Sequence, residues 1–422
     1  MPAPSGQAGD EPVHWLAVLS LASCVMGSSA ATALEDGRIG VLYIGCIARS
    51  RPFWDMRQDP LFALSFVQAT LRSSGAWAPI QQVSGGGEVA RMVRLYMPRT
   101  YSRLTSGFDV IVLSNANRFM VGVSNIEMVA RAVREGGLGL FMSGGWESFG
   151  GHNHPDWGST SVGDLLPTVD VEGSWVSHPR GDLKLVITDE KHEFIRSLPW
   201  EREKAQFMFD FHHNVVTAKE GSQVLARVRA PDLDDPAMVS WELAGGNRVF
   251  ALTGEVHTMA LGPWPYYLDF GANLMIYLDG RPVPQDIDLV HSLRTTMHAV
   301  AVRRSLLISL LEFCDSFGAD TGGITVRTDE LDKIAAQAKP LYLQLQFQET
   351  LDAYRSVEEG LATIEQDAMR LKDRTLFWIY IIEWVAVTGT MMVCGVLLWS
   401  IMIRHSLYRE TRTTRLERLD PP

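Results

Sequence analysis

The groups best suited to chemistry collect at the ends of apolar runs. Asn115 and Asn117 follow FDVIVL, Ser143 to Ser148 follow GLGLFM, and Glu255 and His257 follow VFAL. If those runs are parallel strands, all of these residues arrive at one edge of a sheet. That edge, the carboxyl ends of the strands, is where open α/β sheets bind ligands. Glycines there bring backbone N–H groups close to a ligand, Trp146 offers an apolar wall, and Glu147 supplies charge. The expected ligand is therefore small and polar, with Asn115, Asn117, Ser143, Gly144, Gly145, Trp146 and Glu255 as binding residues.

Other chemistries are weaker. His152, His154 and Asp156 sit close enough to ligate a metal from one loop, with His212 or His213 completing the set. Their spacing matches no diagnostic ligand pattern, so solvated loop histidines are the plainer reading and no metal or other cofactor is expected. Ser84 to Gly87 ahead of a helix could cradle a phosphate or form a simple turn; without GxGxxG or GxxxxGK[ST] the turn is preferred. Of four cysteines, Cys24 and Cys394 fall in apolar end segments. Cys46 and Cys314 make no disulfide framework and read as buried small hydrophobes. The 422-residue chain has a formal net charge of -11 and no basic run before its C-terminal tail, which excludes nucleic acid as a partner.

Elements must hold these groups in place. Strands are expected at Arg38–Gly45, Trp77–Val83, Phe108–Leu113 and Gly137–Ser143, with helical spacing at Leu61–Leu71, Glu88–Tyr96 and Asn125–Glu135. Strand–helix repetition with nearly continuous apolar strands means a parallel sheet covered on both faces. Further strands are expected at Leu183–Ile187, Gln223–Arg227, Met238–Trp241 and Val249–Leu252, the last two joined by a turn at Ala244–Asn247. A helix beginning at Phe270 closes the domain. His291–Phe317 and Thr328–Arg374 read as helical, separated by a breaker with a short extended piece at Gly318–Val326 and interrupted at Pro340. Apolar residues over 343–371 recur at heptad spacing, fitting either a stalk that self-associates or meets a membrane partner, or a stripe packed on the protein itself.

FDVIVLSNANRF (Phe108 to Phe119), GGLGLFMSGGWESFGG (Gly136 to Gly151) with WGSTSVGDLLP (Trp157 to Pro167), and GGNRVFALTGEVH (Gly245 to His257) resemble the class I glutamine amidotransferase-like superfamily over about residues 38–285. The resemblance implies an α/β, flavodoxin-like parallel-sheet domain. It also implies a nucleophilic Cys in the turn after the Gly137–Ser143 strand, a His at His257 and an orienting Glu two residues beyond. Here Gly144 to Ser148 holds no Cys, and Met259 stands where the Glu would be. Glutaminase activity by the thiol route is therefore not expected. Ser148 with His257 as base and Glu147 nearby is the remaining catalytic arrangement; the alternative is that the glycines serve only a tight loop.

From Leu376 to Ile403 the chain is apolar apart from Glu383, long enough to cross a bilayer as a helix. Trp378, Tyr380, Trp384 and Trp399 suit the interfaces, and Glu383 would reach toward one of them or toward a partner in the membrane. Five arginines after this span against three basic residues just before it favour a cytoplasmic tail. Trp15–Met26 resembles the h-region of a signal peptide, with Ala31-Thr32-Ala33 and Leu21-Ala22-Ser23-Cys24 as alternative processing sites, although Asp10 and Glu11 precede it. The expected order is a signal-like segment (1–33), an amidotransferase-like domain (38–285), a helical stalk (289–375), a transmembrane helix (376–403) and a basic tail (404–422). Three functions fit: an extracytoplasmic ligand-binding or interaction module, a membrane-bound hydrolase using Ser148 and His257, or a scaffold subunit of a membrane complex.

Overall fold

The computed structural model describes residues 34, 36–47, 51–70, 86–151, 156–177, 183–201, 212–256 and 264–416. The signal-like segment with Cys24, the Trp77–Val83 strand, Ser84, Gly85, His152, His154, His257 and Met259 lie outside these residues. The chain forms two compact units. One comprises residues up to His298 together with Ala338–Leu351; the other comprises Ala299–Gln337 and everything from Asp352 onward.

The first unit is α/β. Its early elements are β1 (Ile39–Gly45), α1 (Arg51–Asp55), β2 (Phe62–Gln68), α2 (Gly86–Tyr96), α3 (Tyr101–Gly107) and β3 (Val110–Ser114). Then come α4 (Arg118–Val121), α5 (Val123–Gly136), β4 (Gly139–Ser143) and β5 (Thr168–Ser177). β6 (Lys184–Ile187), α6 (Glu193–Arg196), β7 (His212–Ala218), β8 (Gln223–Ala230), β9 (Leu233–Glu242), β10 (Arg248–Leu252) and α7 (Tyr267–Leu278) follow. The described strands make an eight-stranded sheet in the order β2-β1-β3-β4-β10-β9-β8-β6, and β5 pairs separately with β7. The strands from β2 to β10 are mutually parallel; β9, β8 and β6 extend the sheet in antiparallel fashion. The turn expected at Ala244–Asn247 joins β9 to β10, with Gly246 at φ 82° supplying the left-handed residue.

One helix expectation is corrected. Leu61–Leu71 contains an edge strand, not a helix: Phe62 to Gln68 runs parallel to β1 in the register Ile39↔Phe62. Its short run of apolar residues satisfies both periods, and the free edge of β1 decides between them. The β5–β7 pair was not anticipated at all.

Both faces of the parallel part are covered, as continuous apolar strands require. Leu42, Ile44, Ile111, Leu113, Leu140, Met142, Val249 and Ala251 share one core with Val93, Leu104, Ile126 and Val129 of α2, α3 and α5. On the opposite face an aromatic chain runs from Tyr43 through Phe53, Phe141 and Phe250 to Phe194 and Phe270, with centroids 5.2–6.3 Å apart. Gly139 lets α7 approach closely, since a Cβ there would come within 2.5 Å of the Leu278 carbonyl oxygen.

After α7 the chain is helical: α8 (Ile287–Ser316), α9 (Gly322–Leu343) and α10 (Phe347–Leu416). No extended piece separates α8 from α9. Pro340 stays inside α9, and the break falls later, where Leu345 adopts φ 62°. In the helical unit α9 runs antiparallel to α10, with Leu331 against Gly360 and Arg327 2.6 Å from Asp367. The heptad stripe is covered by the chain itself: Val357, Leu361, Ile364 and Ala368 are all buried. Beyond it, α10 holds the one stretch among the described residues long and apolar enough to cross a membrane.

Candidate functional site

In the parallel part of the sheet, β2 lies to one side of β1, and β3 and β4 lie to the other. The chain therefore leaves β1 and β3 in opposite directions across the sheet. A crevice opens between them at the carboxyl ends, the position where such sheets take ligands. A small cleft is found there, lined by Tyr43 and Cys46 of β1 and its end, Ser114 and Asn115 of β3, Gly144 after β4, and Glu255 and Val256 after β10. As formed, it has room for about one water molecule.

Tight backbone approaches shape its floor. Gly45, at φ 145°, sits so close to β3 that a Cβ would lie 1.9 Å from the Ser114 carbonyl oxygen. The Cys46 N–H donates to that same carbonyl at 3.0 Å. Gly144 is pressed against the end of β10: its N–H donates to the Leu252 and Gly254 carbonyls, and a Cβ would lie 2.1 Å from the Thr253 carbonyl oxygen. Ser143 completes the junction, its hydroxyl donating to the Gly254 carbonyl and accepting from the Val256 N–H.

Amide side chains brace the loops above that floor. Asn115 adopts φ 51°, a left-handed conformation that Asn tolerates, and its Oδ1 accepts the Glu147 N–H at 2.8 Å. Its own N–H donates to the Ser148 hydroxyl oxygen at 3.1 Å. Asn117 caps α4 through Oδ1, and its Nδ2 donates to the Glu147 carboxylate at 2.8 Å. From β7, buried Asn214 accepts the Gly145 N–H and donates to the carbonyls of Gly145 and Ser148. Trp157 adds an indole N–H to the Ala116 and Glu147 carbonyls. The loops after β3 and β4 are thereby fixed before any ligand arrives.

The sequence-based candidates divide into groups. Asn115, Gly144 and Glu255 line the cleft. Asn117, Ser143 and Gly145 stand behind it as braces, and Trp146 is half-buried in the turn without lining the cleft. Glu147 and Ser148 are only 2% and 1% exposed, and the bonds described above engage both. None of Trp146, Glu147 or Ser148 has the positive φ of a strained nucleophile turn; Phe149, at φ 52°, is the next residue that does. His257 is outside the described residues, so its approach to Ser148 is not on view.

The metal expectation narrows similarly. Asp156 is exposed and accepts a hydrogen bond from the Ser159 hydroxyl, while His213 faces Asp235 at 3.0 Å. Among the described residues no group of three or more His, Cys, Asp or Glu side chains is arranged to hold a metal.

Sequence reasoning missed Tyr43, Cys46, Ser114, Val256 and Asn214. Cys46 is buried, as expected, yet it faces the cleft. Its place directly after the first strand was the available signal. Asn214 gave none, because its strand was not foreseen.

No family model matches this chain, and no curated protein matches it. Among solved structures, Cytoplasmic Protein STM1381 from Salmonella typhimurium LT2 is 19% identical, covering 57% of this chain and 99% of its own, with a TM-score of 0.44. Agd3, described as a novel carbohydrate deacetylase, is 10% identical, covering 53% of this chain and 30% of its own, with a TM-score of 0.32. Both likenesses are too distant to carry an activity across to this chain.

Proposed function

We propose that this protein is a membrane-anchored, amidotransferase-like module that binds a small polar ligand at the carboxyl ends of β1, β3, β4 and β10 and does not hydrolyse glutamine. The observation that carries the reading is the braced cleft between β1 and β3. The strand order β2-β1-β3-β4-β10 is that expected of a flavodoxin-like sheet, whose ligands sit at this crossing. Glu255 is the charged group among the lining residues, so a ligand presenting amine or hydroxyl donors is favoured. The turn after β4 carries Trp146 and Glu147 where the resemblance calls for a thiol, which supports a non-catalytic role.

A thermal-shift screen of polar metabolites on the detergent-solubilised full chain tests this. A hit should lose its stabilising effect in Glu255→Gln, the shift being read against that variant's own ligand-free unfolding temperature. Hits that bind Glu255→Gln equally well would move the site elsewhere. Ammonia release from glutamine, abolished by Cys46→Ala, would overturn the non-catalytic reading.

The same proposal places the α/β unit outside the cytoplasm and the tail within it, supported by the arginines that follow the span. Protease added to spheroplasts should digest the α/β unit and spare an epitope at the C-terminus; the reverse pattern inverts the topology.

A further inference from the structure

The helical unit contains an apolar tip with no role in the cleft. α8 ends at Ser316 in a tight cap: the Gly318 N–H donates to the Asp315 carbonyl, the Ala319 N–H donates to the Cys314 carbonyl, and Gly318 takes φ 78°. Asp320 then receives the Gly322 N–H as α9 starts. On this fixed turn Phe313 and Phe317 stack edge to face, 5.0 Å apart, and are 38% and 53% exposed.

Contacts inside the unit fix the level of that tip along α10. Arg303 of α8 lies 3.9 Å from Glu358, and Arg304 forms a two-pronged pair with Asp332 of α9. Arg327 meets Asp367, further down α10. α8 therefore runs in the same direction as α10, with α9 returning beside them. Continuing the register of Arg303 with Glu358 brings Phe317 level with Lys372, about 6 Å along the helix from Leu376, where the apolar span begins. Burial along α10 ends at the same level. Ala368 and Thr375 are buried, whereas large apolar side chains from Phe377 to Tyr408 are exposed.

We infer that the α8–α9 tip is a second membrane contact, inserting Phe313 and Phe317 into the headgroup region beside the point where α10 enters the bilayer. This rests on reading α10 as the membrane span. Aromatic side chains on a rigid turn at that depth gain from burial in the outer 5–10 Å of a leaflet. The exposed charges on the turn, Asp315 and Asp320, are acidic, so the tip's own contact with lipid is apolar rather than an attraction to anionic headgroups. One consequence is that the stalk is held at two points rather than swivelling on a single helix.

Spin labels on the full chain in phosphatidylcholine nanodiscs test the inference. Phe317→Cys, Ser305→Cys and Thr390→Cys are each made in a background of Cys24→Ser and Cys394→Ala; the remaining Cys46 and Cys314 are buried. The reading at each site is accessibility to oxygen relative to a water-soluble nickel complex. The label at position 317 should give a ratio several-fold above that at 305 and below that at 390, which lies at the middle of the span. A water-like reading at 317 with a lipid-like reading at 390 overturns the tip contact and leaves the span intact. Water-like readings at both 317 and 390 overturn the span and the tip together. Strong dipolar broadening between 317 labels would show a second copy of the chain covering the tip instead of lipid, and would also overturn the inference.

Discussion

Asn214 holds the turn after β4 by three hydrogen bonds from a strand that borders it. Asn214→Leu keeps the volume but strands the buried Gly145 N–H, at about 1–3 kcal/mol, and takes one of two donors from the Gly145 and Ser148 carbonyls. The expected result is a clear fall in unfolding temperature together with loss of ligand binding. Asp170 offers a pH test. Burial pushes its carboxyl up to about 6, against the Gly158 N–H that it accepts. A group raised in the folded state contributes stability below its unfolded pKa and loses that contribution as pH rises through its folded value. Asp170→Asn should therefore lose less stability than the unmodified protein between pH 4 and pH 7, measured by thermal unfolding across that range. At this scale the sequence revealed what residue type alone can reveal. The glycine turn and Asn115 were legible because few other residues suit close approach or left-handed backbone. Tyr43 and Cys46 were not, because an apolar residue ending a strand looks the same whether it faces a core or a cleft.

Elements were read well where one period dominated and poorly where two fitted. β1, β3, β4, α5 and α7 follow their patterns, whereas β2 satisfied both periods and only its pairing with β1 settled it. β5 and β7 pair with each other outside the strand order of the main sheet, so no neighbouring run announced them. The heptad stripe of α10 was legible as a stripe but not as to what covers it, because a seam facing its own chain and one facing another have the same spacing. With Leu361 buried inside the unit, Leu361→Ala should cost about 2–5 kcal/mol of stability through cavity formation. Denaturant unfolding in detergent, with the molecular mass followed by light scattering, should show lower stability at unchanged mass. Dissociation without loss of stability would identify the stripe as an intermolecular seam.

Across the whole molecule, an α/β unit followed by an apolar span could be read from the sequence, but the path between them could not. The chain leaves the α/β unit after His298 and re-enters it at Ala338–Leu351. There the Tyr342 hydroxyl donates to Asp59 at 2.9 Å. Arg294, 3% exposed, donates to Asp269 and Asn273 beside them. Burial raises the Asp59 carboxyl, with the nearby Arg294 charge opposing that rise. Arg294→Met leaves buried carboxylates without their cation, at about 3–5 kcal/mol. Tyr342→Phe removes one hydrogen bond, at about 1 kcal/mol. Chemical denaturation of the α/β unit should rank the two variants in that order.

That re-entry also sets a schedule for biosynthesis. Domains tend to fold as units in the order in which they are made, but this one is incomplete until Ala338–Leu351, which carries Tyr342, has been synthesised. Leu376, the first residue of the span, follows about seven helical turns after Leu351. On the proposed anchoring, completion of the α/β unit and engagement of the membrane fall close together in translation. A nascent chain arrested before Ala338 would carry a sheet whose buried Asp59 still awaits its phenol.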